Sequence, residues 1–81
     1  MADVVHEFSS PVRGRDNREY KARAFAEPRG NIWIGWLEFV ARGDRPRRTG
    51  EETSQPNREA VTYWATGLEP IYLEGALERA K

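Results

Sequence analysis

The run Ile32-Trp33-Ile34-Gly35-Trp36-Leu37-Glu38-Phe39-Val40 constrains this chain more than any other feature. Its β-branched and aromatic side chains fit a pleated, largely buried surface, so it reads as a strand. The preceding segment sets Tyr20, Ala22, Ala24 and Ala26 in alternation with Lys21, Arg23, Phe25 and Glu27. Period two again means a strand. Between the two lies Pro28-Arg29-Gly30-Asn31, where proline presets φ and glycine accepts positive φ. A β-hairpin with a four-residue connection is the expectation.

The alternation assigns faces, and side-chain size suggests a register. With Ala26 opposite Trp33, Ala24 faces Gly35, Ala22 faces Leu37 and Tyr20 faces Phe39. Small residues then sit beside large ones, which leaves room for a helix to dock. The other face sets Phe25 against Ile34, Arg23 against Trp36 and Lys21 against Glu38. Such cross-strand pairs contribute about 0.2–1 kcal/mol each. A one-residue slip would scramble both faces.

The flanking segments complete the outline. Val4 to Val12 reads as a short strand or ordered arm, interrupted by Ser9-Ser10-Pro11, and Gly14-Arg15-Asp16-Asn17 as a turn. After the turn Arg42-Gly43-Asp44-Arg45, a third strand is expected over Arg47 to Thr53, with Pro46 at its start. Ser54 and Asn57 compete to cap a helix, with Pro56 suited to its first turn. Ala60, Val61, Trp64, Ala65 and Leu68 recur at helical spacing. Gly67 and Pro70 then interrupt it, because Pro70 would leave the carbonyl of Thr66 without a donor. A second helix restarts over Pro70 to Ala80. The expected fold class is α+β. An antiparallel meander of three or four strands (residues 18–54) follows an N-terminal arm (1–17), and two C-terminal helical segments (55–80) pack on one sheet face. The 81 residues form one small domain with a thin core.

Composition excludes several kinds of chemistry. Cysteine is absent and there is one histidine, so disulfides, thiolate metal sites, cysteine nucleophiles and multi-histidine metal centres are all ruled out. No metal or cofactor is expected. No apolar run approaches the ~18 residues of a membrane span, and residues 1–8 lack the basic start and apolar stretch of a signal peptide. No membrane association and a cytoplasmic location are the corresponding expectations. Asp3, His6 and Ser9 share one short stretch, whereas a nucleophilic triad is assembled from separate parts of a rigid fold. Glu51 and Glu52 are neighbours on an expected strand and so point to opposite faces, unlike a paired catalytic dyad. Phosphate-cradling glycine motifs do not occur. A non-catalytic protein is expected, not an enzyme.

Thirteen basic side chains balance thirteen acidic ones, but they are polarised along the chain. Residues 13–48 carry ten Lys/Arg against five Asp/Glu, and eleven of the thirteen basic residues are arginine. Arginines interleaved with Phe25 and Trp36 on an open sheet would suit single-stranded RNA, whose bases stack on aromatic rings. Nucleic acid is therefore one candidate partner. At the strand-to-helix junction, Ser54, Asn57 and Arg58 could hold an anion on free helical amides. Capping by Ser54 or Asn57 would satisfy those same amides. Tyr63, Trp64 and Tyr72, at helical spacing, are expected in the core.

Three stretches carry a resemblance. They are Gly35-Trp36-Leu37-Glu38-Phe39, Glu52-Thr53-Ser54-Gln55-Pro56-Asn57-Arg58-Glu59 and the run from Tyr63 to Leu77 (YWATGLEPIYLEGAL). Together they resemble a family of small uncharacterised bacterial proteins over the last two-thirds of the chain. The resemblance implies a compact domain and carries no activity, ligand or catalytic residue.

The outer face of the hairpin holds the functional expectation. Arg23, Phe25, Ile34, Trp36 and Glu38 lie together there, away from helices already needed to cover Trp33, Leu37 and Phe39. Aromatic patches of this kind mark interaction sites, and tryptophan and arginine are enriched where interfaces carry their energy. The cover is a protein partner, most simply a second copy in a homodimer, or else the arm Val4–Phe8.

Overall fold

The computed structural model describes all residues, 1–81. It contains β1 (Asp3–Glu7), β2 (Val12–Arg13), β3 (Glu19–Arg29), β4 (Ile32–Ala41), β5 (Arg47–Arg48), β6 (Thr53–Gln55), α1 (Arg58–Thr66) and α2 (Pro70–Arg79). The fold is α+β, an antiparallel meander followed by two helices, as the sequence pattern implies. Four positions run across the sheet. β1 and β2 occupy the first, both pairing with β3, and β5 and β6 share the last, both pairing with β4. The N-terminal arm is therefore an edge strand in the plane of the sheet. It does not lie over the outer face.

Alternation gives the two faces correctly, but the register differs from the expected one by two residues. Ala26 pairs with Gly35, Ala24 with Leu37, Ala22 with Phe39 and Phe25 with Trp36. The reason is the turn. The ladder runs on through Pro28↔Trp33 and Arg29↔Ile32, leaving only Gly30 and Asn31 as a loop. Gly30 has φ +62° while Asn31 stays in negative φ, the pattern of a II′ hairpin, whose twist matches its strands. Pro28 fits because it lies beyond Asp3, where β3 has no outer neighbour and a missing N–H forfeits no ladder bond.

The expected third strand, Arg47 to Thr53, is split. β5 pairs Arg48 with Glu38 and β6 pairs Thr53 with Gly35, so four residues of one side span two of the other. This bulge is held from within: the Leu37 amide donates to Thr49 Oγ1 at 3.1 Å and the Thr49 amide to the Leu37 carbonyl at 2.9 Å. Thr49 is only 2% exposed, so these bonds are its compensation for burial.

Both helices pack on the face carrying Ala22, Ala24, Leu37 and Phe39. α1 lies on β1, β3, β4 and β6, and α2 on β2. The small strand residues let the helices come close. Val61 of α1 sits so near Gly35 that a Cβ there would be 2.7 Å from Val61 Cγ1. The break between the helices falls as expected, with Gly67 capping α1 and Pro70 at the first turn of α2. Asn57 is the cap of α1, its Oδ1 accepting from the Ala60 amide at 2.8 Å, whereas Ser54 belongs to β6. Tyr63 departs from expectation: it is 83% exposed, on the solvent side of α1, while Trp64 and Tyr72 pack against the core. Trp33, on the inner face opposite Pro28, is half-buried. No helix is long and apolar enough to cross a membrane.

Candidate functional site

The helix-free face of the sheet is built by β1, β3, β4 and β5. The observed register sets Phe25 directly opposite Trp36, and their rings stack with 5.7 Å between centroids and 2° between planes. Arg23 sits opposite Glu38 and bonds it through Nη2 at 2.6 Å and Nε at 3.2 Å. The expected pairs Phe25–Ile34, Arg23–Trp36 and Lys21–Glu38 are thus replaced: Ile34 faces Glu27 and Lys21 faces Val40. The same five residues still share the face.

Arginines close the aromatic pair from both sides. The Arg48 guanidinium lies 4.5 Å from the Trp36 ring centre, and that of Arg23 5.2 Å from Phe25. Contacts of this kind give about 0.5–1 kcal/mol each where exposed. Trp36 is 5% exposed and Ile34 3%, whereas Phe25 is half-buried and Val4, next to it on β1, is 37% exposed. The result is a rigid aromatic platform, with its tryptophan anchored and its edge open. Arg48 escaped the sequence reading because its place on this face is set by how β5 pairs with β4, Arg48 opposite Glu38, which the alternation within 47–53 does not reveal.

A cleft adjoins this face where Ser9-Ser10-Pro11 interrupt the first strand, lined by Glu7, Lys21, Arg23 and Arg42 among others. Lys21 and Arg42 make no ion pair.

The remaining sequence candidates are held by the fold. Arg58 Nε donates to Asp3 Oδ2 at 3.1 Å, tying α1 to β1, and Asn57 occupies the amide an anion would take. His6 meets Phe8 edge-on at 4.6 Å. Glu52 accepts from Tyr72 Oη at 2.5 Å and Arg79 Nη2 at 2.6 Å, joining the bulge to α2. Burial, and then the bond to Glu52 and its negative charge, push the Tyr72 phenol up to about 12. The Tyr20 hydroxyl donates to Asp16 at 2.6 Å and, with the Arg18 amide, holds that carboxyl below its usual range. These groups lock turns and helices to the sheet.

Compared with protein-family models, curated proteins and solved structures, the chain matches none.

Proposed function

We propose that this chain is a non-catalytic protein-contact module whose working surface is the helix-free sheet face around Arg23, Phe25, Ile34, Trp36 and Glu38. One observation carries the reading. Both helices cover one side of the meander, and the other side has no second layer although it bears a stacked Phe25–Trp36 pair flanked by arginines. A sheet ordinarily buries one face against another element and solvates the other with polar side chains. Aromatic residues and arginine on the second face are the composition of an interface core. Single-stranded RNA has less support, since bases stack on open rings. Here Trp36 lies beneath Arg48, and Arg23 is committed to Glu38. The GWLEF, ETSQPNRE and YWATGLEPIYLEGAL stretches, which resemble a family of small uncharacterised bacterial proteins, support a bacterial origin in this reading, and a cytoplasmic location is proposed separately from them.

Hydroxyl-radical footprinting in cells, compared with the dilute purified chain, tests this reading. Phe25 and Val4 should lose reactivity in cells, while Tyr63 and Ile71, 83% and 78% exposed on the helices, keep theirs. Protection confined to Tyr63 and Ile71 would move the contact surface to the helical layer and refute the assignment.

A further inference from the structure

Four charges on the helix-free face form one row across the sheet, with Lys21, Glu27 and Arg29 lying apart from it towards the two ends of β3. The register pairs Glu7 of β1 with Arg23 of β3, Arg23 with Glu38 of β4, and Glu38 with Arg48 of β5. Signs therefore alternate across the whole sheet. The next row is apolar: Val4, Phe25 and Trp36. Only the central charges satisfy each other, Arg23 with Glu38 at 2.6 Å. Neither Glu7 nor Arg48 has an ion-pair partner in the chain. They stand at opposite ends of the row, about 14 Å apart at three strand spacings, and cannot reach one another.

Resting on the contact-face reading above, we propose that the partner is a second copy of this chain, related by a two-fold axis that runs parallel to the strands between β3 and β4. Such an axis reverses the order of each row. It sets Glu7 against Arg48 of the second copy, Arg23 against Glu38, and Phe25 against Trp36, each contact occurring twice. A row reading minus, plus, minus, plus is complementary to itself only when reversed, as an isologous interface requires. The two charges of this row left without an ion-pair partner are the ones this operation brings together. For Phe25 of the second copy to meet the indole, Arg48 must swing from Trp36 towards Glu7 of that copy.

Sheet geometry agrees with this arrangement. Sheets packed face to face lie about 10 Å apart and cross at about −30°, so rows near the crossing point stay matched while the hairpin tip diverges. The apolar row supplies attraction and the charged row fixes orientation.

Single charge reversals test the pairing, read by sedimentation equilibrium of the full chain from micromolar to millimolar. Wild type should dimerise in that range. Glu7→Arg opposes two arginines across each contact and Arg48→Glu two glutamates, so each should weaken self-association at least about tenfold. An equimolar mixture of the two variants should associate as wild type does, and so should the double variant E7R/R48E. Rescue is diagnostic because the double variant keeps every intrachain cost of the singles, and the two sites cannot meet within one chain. Both sites are exposed, so circular dichroism and Tm should show intact folds. If either reversal unfolds the chain, Glu7→Gln and Arg48→Gln should each weaken the dimer, and no change with either would overturn the pairing. A chain monomeric at millimolar concentration, or reversals without rescue, would also overturn it. A face protected in cells with a chain that stays monomeric defeats self-pairing alone; a face unprotected in cells defeats the contact reading as well.

Discussion

Gly35→Ala probes the closest approach in the fold. Its φ lies outside the left-handed region, so alanine meets no backbone strain there. What it meets is α1: the added methyl would lie 2.7 Å from Val61 Cγ1, 2.9 Å from Thr53 Cγ2 and 3.3 Å from the Phe25 carbonyl. Overpacking of this kind costs about 1–3 kcal/mol. Replacing glycine returns about 0.4–1 kcal/mol by restricting the unfolded chain. The net loss is about 1–2 kcal/mol, or roughly 4–16 °C in Tm for a domain of this size. That is a substantial part of the roughly 4–12 kcal/mol a chain this long commands. Val61→Ala alone should cost about 2 kcal/mol, from two lost carbons and the cavity they leave. In the double variant the alanine methyl occupies the vacated space, so the combined loss should fall short of the sum by about 1 kcal/mol or more. Urea unfolding followed by tryptophan fluorescence measures all three variants. A Gly35→Ala protein as stable as wild type, or strict additivity with Val61→Ala, would refute the seating of α1 on β4.

Two further outcomes check the polar framework. Thr49→Val keeps the shape but leaves the Leu37 amide buried without its acceptor, so it should cost about 1–3 kcal/mol in urea melts, while Thr49→Ser should recover most of that. Tyr72 is raised from its ordinary value of 10.0 to about 12, so the folded state holds its proton more tightly than the unfolded state. Its contribution is complete below pH 10 and is lost as pH rises towards 12. Tm should fall across that alkaline window, and Tyr72→Phe should flatten the fall while lowering Tm at neutral pH. An unchanged alkaline slope would contradict the role given to the Glu52–Tyr72 bond.

Local sequence carried the faces of the hairpin and missed its register, for identifiable reasons. Alternating Ala22, Ala24 and Ala26 against Arg23 and Phe25 fixes which side chains share a face for a four-residue and a two-residue loop alike, because an even shift preserves parity. Treating Pro28 and Arg29 as loop shortened the ladder. Both are strand residues, since Gly30 makes the turn with Asn31 alone. The helix break at Gly67 and Pro70 was legible because proline's missing donor acts locally. The bulge at Thr49–Glu52 was not legible: it depends on how β5 and β6 each find β4, and the β4–β5 pairing sets Arg48 opposite Glu38, within reach of Trp36. Tyr63 was misplaced because helical spacing counts neighbours along one helix. The side that reaches the core is set by Val61 and Ala65 packing on the sheet.

The central claim is that the helix-free face meets a second copy with its rows reversed. An isotope-filtered NOE experiment on an equal mixture of carbon-13-labelled and unlabelled chain sees only contacts between copies. Cross-peaks are expected between the Phe25 ring of one copy and the Trp36 indole of the other. Contacts between copies that involve Tyr63 or Ile71 instead, or none at millimolar concentration, would contradict it.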